Sequence, residues 1–311
     1  MLEQTSTRAI AAALLAPVVM SLLLSSQILG STASYAEAAG ATVDEFGIQK
    51  IYQTSKDGKE WYVDMDDPKS DPNFRNLDDI KFDRNSDGSW QISEDSIRME
   101  AWSPANQKWL NVEMTAYFKV VETSSERDGR GDGSSEEPLF QMYSRGGHHT
   151  DDDPCLGSAY KARLYANGTA SWVKEVTHPA YSEDSGIVKA TTTPIDGRWI
   201  GFKSVVYNFV ENGQTYVRLE SYIDDDVNDA SGNLVIKNNW KLASVMEDRG
   251  GWAPTDGDFD SSCDIAKDAI LTESGGTEVQ NLVAWRTDDT TLDFNYLTIR
   301  EIEPPTILHP T

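Results

Sequence analysis

Cysteine, histidine, positive charge and helical periodicity are all scarce in this chain of 311 residues. Each scarcity excludes something. There are two cysteines, Cys155 and Cys263, and four histidines. No Cys-x-x-Cys pair exists, and only His148 and His149 lie near Cys155, so no Cys/His zinc site is expected. Lys and Arg number 27 against 51 Asp and Glu, a formal charge of −24. Phosphate binding needs a basic footprint, so nucleic acid is not an expected partner. Beyond the leader, helical signals are nearly absent, and no run is apolar enough to cross a membrane.

What is present begins with an export signal. Arg8 precedes an uncharged run from Ala9 to Gly30, and Ser34-Tyr35-Ala36 offers small residues at −3 and −1 of a cleavage site. Residues 1–36 read as a signal peptide, with Ala38 as an alternative last residue. The rival reading is a retained anchor, because Ala9–Leu29 could almost span a bilayer. Cleavage leaves about 275 residues, enough for one large β-domain that holds a sizeable core without disulfides. In an exported chain, two cysteines favour one bridge, Cys155 to Cys263.

Short segments of alternating apolar and polar residues recur between Gly, Asn, Asp and Pro. They predict twelve strands: Gly47–Gln53, Glu60–Asp64, Ser96–Trp102, Trp109–Val121, Leu139–Arg145, Ser158–Ala166, Ala170–Val176, Trp199–Val210, Tyr216–Asp224, Trp240–Val245, Gln280–Arg286 and Asp293–Ile302. Asn167-Gly168 and Asn212-Gly213 are hairpin signals between two pairs of them. The expected architecture is all-β, a two-sheet antiparallel sandwich over residues 37–302, with a tail at 303–311.

Period-two alternation assigns faces. Ile97, Met99 and Ala101 should face the core, leaving Arg98, Glu100 and Trp102 on the other side. The same rule groups Gln141 with Tyr143 and Arg145, and Lys161 with Arg163 and Tyr165. It also groups Trp172 with Lys174, Lys203 with Tyr207, and Arg218 with Glu220 and Tyr222. Residues 140–220 hold eight Lys/Arg and nine Asp/Glu, a net of −1, against −23 for the remainder. A sheet face gathering cations and aromatics suits an acidic polysaccharide. Aromatic rings stack on sugars, and Arg and Lys pair with carboxylates. The bland alternative is a face covered by loops, its aromatics merely packed.

Arg98-Met99-Glu100, Gln141-Met142-Tyr143 and Phe202-Lys203-Ser204-Val205-Val206-Tyr207-Asn208 stand in the chain order of three family signatures. In this the chain resembles the family 7 polysaccharide lyases, the alginate-lyase jelly rolls of the concanavalin A-like superfamily. Trp102 stands at the second Arg of the first signature, Tyr143 at the His of the second and Gly201 at the first Tyr of the third. The resemblance implies a jelly roll and β-elimination on a uronate. Arg98 and Gln141 would neutralise the sugar carboxylate. Tyr207 would act as acid, or as acid and base beside Lys203, and Tyr143 would stand in for the histidine. Glu100, Arg145, Lys161, Arg163, Trp172, Lys174, Lys203, Arg218 and Tyr222 would line the substrate groove. The alternative is a non-catalytic carbohydrate-binding or cell-surface adhesion protein on the same fold.

No cofactor is required by either reading. Asp83, Asn85, Asp87 and Glu94, with Gly88 at the sixth position, match a twelve-residue calcium loop, which points to a structural Ca2+. An Asn/Asp/Gly hairpin turn explains the same residues. The expected partner is an acidic polysaccharide or other glycan, met outside the cell.

Overall fold

The computed structural model describes residues 43–76, 81–103, 108–123, 139–146, 153–272 and 282–306. The leader, His148 and His149 lie outside the described residues. The chain divides after Glu37 into two units, and every described residue belongs to the second, Ala38–Thr311.

Among the described residues the regular secondary structure is almost entirely strand. In chain order these are β1 (Glu60–Tyr62), β2 (Phe74–Asn76), β3 (Lys81–Arg84), β4 (Trp90–Trp102), β5 (Val112–Thr123), β6 (Phe140–Gly146), β7 (Ala159–Leu164) and β8 (Thr169–Thr177). There follow β9 (Ala180–Ser182), β10 (Ser185–Lys189), β11 (Ile200–Glu211), β12 (Gln214–Asp224), β13 (Lys241–Asp248), β14 (Pro254–Asp256) and β15 (Leu282–Glu301). Their pairings are antiparallel. The two hairpin signals close as expected. Asn212 (φ 52°) and Gly213 (φ 79°) form the two-residue turn between β11 and β12, both in the left-handed region that a type I′ turn requires.

The strands form two layers joined by β15. Strands β13, β12, β11 and β5 lead in that order to the second half of β15. Strands β6, β7, β8, β9 and β14 lead away from its first half, with β4 on its other edge. The sequence reading expects two strands at 280–286 and 293–302; the chain instead makes one strand of 20 residues that serves both layers. Asp289 (φ 49°) and Tyr296 (φ 53°) mark where it turns. Interior side chains fall at Val283 and Trp285 before the first turn, at Leu292 and Phe294 between the two, and at Leu297 and Ile299 after the second. Each irregularity flips the inward parity, the usual consequence of a bulge at a sheet corner.

The core lies between the layers. Phe118 of β5 stacks on Phe140 of β6 with ring centroids 4.1 Å apart. Trp172, Phe202, Leu219 and Trp285 are fully buried beside them. Each such side chain contributes roughly 1.5–3 kcal/mol by leaving water. The result is the two-sheet antiparallel jelly-roll sandwich that the strand pattern predicts. Cys155 and Cys263 are bridged as expected, 108 residues apart in sequence.

The two outer faces differ. That of β5, β11 and β12 is covered. Ile48 packs with Tyr117, Trp199 and Val227, and Ile51 and Tyr52 pack on Val205 and Tyr207. The outer face of β4, β15, β6, β7 and β8 carries an open cleft.

Candidate functional site

Register builds the floor of this cleft. Arg98 of β4 pairs with Arg286 of β15, which pairs with Gln141 of β6. Gln141 pairs with Arg163 of β7, and Arg163 with Ser171 of β8. All five point away from the core because their neighbours Ile97, Trp285, Phe140, Ala162 and Ala170 point into it. The next row on the same face is Glu100, Ala284, Tyr143, Lys161 and Val173.

Carboxylates pin the arginines. Asp288 accepts from Arg98 Nη1 at 2.5 Å and from Arg286 Nε at 2.7 Å. Asp184 accepts from Arg163 Nη1 at 2.7 Å, from Ser171 Oγ at 2.7 Å and from the Tyr165 hydroxyl. Arg163 Nε also donates to Gln141 Oε1 at 3.3 Å. Above this floor opens a cleft of about 810 Å³. It is lined by Gln141, Arg163, Tyr165, Ser171, Tyr181 and Arg286, with Asn167, Thr169, Glu183, Asp184, Ile187 and Asp256 at its sides.

A buried charge network adjoins this floor on the same face. Lys161 Nζ lies 2.5 Å from Glu175 Oε2, both side chains wholly buried. The same amine sits 4.2 Å from the Tyr143 ring centre and 4.5 Å from that of Tyr181. His178 Nδ1 meets the other Glu175 oxygen at 2.7 Å. Arg286 Nη1 donates to the Tyr143 hydroxyl at 2.5 Å. Burial alone would raise the Tyr143 phenol, but the charges of Arg286, Lys161 and Arg98 outweigh it and hold the group below its ordinary value. Burial pushes Glu100 up to about 7 against the pull of its Trp102 hydrogen bond and of Arg75 and Arg98.

Of the sequence-predicted residues, Arg98, Glu100, Gln141, Tyr143, Lys161 and Arg163 share this face. The others do not join them. Lys203 and Tyr207 lie on the outer face of the opposite layer, so the four residues expected to work on a uronate do not converge. Lys203 Nζ is committed to Glu113 Oε1 at 2.7 Å and Thr115 Oγ1 at 2.8 Å, not to a tyrosinate. Tyr207 is buried and donates to Glu220 at 3.1 Å. Burial first, then the Glu220 charge, raises its phenol well above the ordinary value, the reverse of what a base requires. Glu220 also accepts from Tyr52 and Tyr222, each at 2.8 Å, and from Arg218 Nε at 2.6 Å. Arg218 and Tyr222 are therefore the partners of a buried carboxylate under a covering segment.

Three further residues are turned inward. Trp172 and Lys174 lie on the interior side of β8, because Trp172 pairs with Ala162, itself in the core. Lys174 Nζ is buried on Asp248 Oδ2 at 2.9 Å and on the Ala269 carbonyl at 2.7 Å. Arg145 adopts φ 55°, which breaks the alternation of β6. Its guanidinium plugs the end of the sandwich, donating to Asn208 Oδ1 at 2.7 Å and to the carbonyls of Leu271 and Leu110 at 2.8 and 3.1 Å.

The twelve-residue oxygen loop is a hairpin turn between β3 and β4. Asp87 accepts from the Ser89 amide and hydroxyl at 3.0 and 2.6 Å, and Asn85 Nδ2 donates to Asp293 at 3.0 Å. Asp83 pairs with Lys81 at the surface, and Glu94 lies on β4 opposite Thr290. Four residues of strand carry Glu94 about 13 Å beyond Trp90, out of reach of the turn. Among the described residues no three His, Cys, Asp or Glu side chains gather to hold a metal.

No family model matches the sequence, and no curated protein does. Among solved structures, the chain is similar to a protein of unknown function with a galectin-like fold from Bacillus subtilis, with TM-score 0.39 and 11% identity over 79% of this chain and 100% of that one. It is similar to the binding domain of botulinum neurotoxin serotype D, with TM-score 0.36 and 12% identity over 75% of this chain and 44% of that one. It is also similar to the CBM2 module of the evolved Dit of Lactobacillus casei BL23 phage J-1, with TM-score 0.35 and 7% identity over 80% and 99%. At such scores the sandwich rests on its own strand pairing.

Sequence reasoning missed Arg286, Asp288, Tyr181, Asp184 and Glu175. Arg286 was within reach, since Val283 and Trp285 announce an inward parity that leaves it outward. Tyr181 and Asp184 sit in a stretch with no periodicity, where only tertiary contacts bring them over the sheet.

Proposed function

We propose that this chain is an exported carbohydrate-binding protein whose ligand lies in the cleft over β6, β7 and β8. The observation that carries the reading is the cleft floor. Successive strands present Arg286, Gln141, Arg163 and Ser171 in one row, with Tyr165 and Tyr181 beside them, on a rigid sheet. Sugars offer hydroxyls that both donate and accept, and C–H faces that pack on aromatic rings. A shallow open cleft of mixed amide, guanidinium, carboxylate and phenol groups matches that chemistry. The export leader and the single disulfide agree with work outside the cytoplasm.

Binding is favoured over β-elimination. Among the described residues the one phenol held below its usual value is Tyr143, which lies in the row beside the floor and is not among the groups lining the cleft. The test is a glycan array probed with the mature chain, followed by calorimetry on the hits and absorbance at the unsaturated-uronate band. Binding without new absorbance is the expected result. Failure of the folded protein to bind any glycan refutes the proposal, and turnover of a uronate polymer would restore the lyase reading.

A further inference from the structure

Resting on that reading, we infer that the cleft selects an uncharged glycan rather than a uronate-bearing or sulfated one. Four cations line or adjoin the cleft: Arg163 and Arg286 in its lining, Arg98 and Lys161 beside it on the same face. Five carboxylates face or support the same space: Glu175, Glu183, Asp184, Asp256 and Asp288. Three carboxylates hold the four cations at close range, and Glu183 and Asp256 stand at the cleft's sides, so carboxylates outnumber cations five to four. Arg98 and Arg286 share Asp288, Arg163 holds Asp184 at 2.7 Å, and Lys161 holds Glu175 at 2.5 Å. A carboxylate or sulfate entering here finds no surplus positive charge. It would also have to approach a chain of formal charge −24. That field repels polyanions, most strongly where salt is too dilute to screen it.

The same pairs suit hydroxyl groups. A sugar hydroxyl can accept from a guanidinium edge and donate to the carboxylate beside it. Arg163 with Asp184 presents such a couple on one side of the Gln141 amide, and Arg286, oriented by Asp288, lines the cleft on the other. Asp184 has three partners on its two oxygens, which fixes its orientation before any ligand arrives.

This predicts a designed loss and gain. Asp184→Asn keeps the shape but leaves the Arg163 charge uncompensated at the cleft. It should weaken the neutral ligand about tenfold and give measurable, salt-sensitive affinity for uronate chains. Asp288→Asn should do the same through Arg286 and serves where the first variant folds poorly. Tyr207→Phe, on the covered face, should bind as the wild type does.

The experiment is calorimetry of the mature chain and these variants with neutral glucans, galactans and mannans against alginate, polygalacturonate and hyaluronan, at low and high NaCl. Expected are neutral-glycan binding by the wild type that changes less than about twofold with salt, and uronate binding only after either Asp→Asn change. Uronate binding by the wild type as tight as any neutral glycan overturns the inference while leaving the cleft reading intact. No binding to either class overturns the proposed function itself.

Discussion

Replacing Glu175 by Gln should cost this protein a large part of its stability. The perturbation removes one charge and almost no volume. Lys161 Nζ lies 2.5 Å from the lost oxygen, and neither side chain reaches solvent. An ammonium left unpaired in such a place destabilises by about 3–5 kcal/mol, against total stabilities of roughly 5–15 kcal/mol. The Tyr143 and Tyr181 rings, at 4.2 and 4.5 Å, remain and place the expected loss nearer the lower figure. For a domain of this size the melting temperature should fall by about 6–20 °C. The assay is guanidinium unfolding followed by tryptophan fluorescence, which Trp172 and Trp285 report from the core. The midpoint should fall with an unchanged slope. A pH signature separates lost charge from lost packing. Burial already lowers the Lys161 amine, and the charge of Glu175 offsets part of that. Without it the folded-state value drops further, while the unfolded chain keeps its proton up to about pH 10.4. Below that value the unfolded state then binds the extra proton, so the variant should gain stability as pH rises. The double change Lys161→Met with Glu175→Leu should recover most of the loss. A Glu175→Gln variant within about 1 kcal/mol of wild type, or one indifferent to pH, would refute the reasoning.

Glu100, whose carboxyl is held up to about 7, takes up a proton on folding between about pH 4.3 and 7, so stability should fall as pH rises through that window. Glu100→Gln should flatten the dependence and gain about 3 kcal/mol at pH 8, read from melting temperatures at pH 5 and 8. Changing both Cys155 and Cys263 to Ser opens a 108-residue loop and should cost about 2–5 kcal/mol in denaturant unfolding. Millimolar calcium and EDTA should give the same melting temperature, since Asp87 is committed to Ser89 and Glu94 lies along β4. A calcium-dependent rise would show that the β3–β4 turn closes on the ion.

The strand pattern made the layers legible because alternation is a local signal. Ile97, Met99 and Ala101 are inward as read, and so are Phe140, Met142 and Phe202. Alternation stops being readable where the backbone inserts a step, and no residue type announces one. Arg145, Asp289 and Tyr296 take left-handed conformations without being glycine, and each turns its neighbours over. In β8 the sequence alone suggests Trp172 and Lys174 as the outward pair, and pairing of Trp172 with Ala162 sets the parity the other way. Short edge strands such as β9, β10 and β14 carry too few residues to show a period at all. Parity also says which side of a strand faces away from the core, but not which of two layers the strand joins. Gln141 and Lys203 both face outward, and they do so on opposite sides of the molecule.

That ambiguity explains the cations. Their concentration between residues 140 and 220 resembles a ligand-facing patch in sequence. In the fold, much of it supplies buried partners for carboxylates. Lys161 joins Glu175 across β7 and β8, Lys203 joins Glu113 across β11 and β5, and Lys174 of β8 joins Asp248 of β13. A fully desolvated pair adds little net stability over an apolar pair of the same size. What it adds is intolerance of error. A one-residue slip of β7 on β8 would turn Lys161 and Glu175 to opposite faces and leave each charge unpaired, at about 3–5 kcal/mol apiece. Most described lysines are exposed; Lys161, Lys174 and Lys203 are the buried exceptions. Buried in these pairs, the three lysines penalise every register but one. They leave the cleft without surplus positive charge, which is the premise that the calorimetry on neutral and uronate glycans tests.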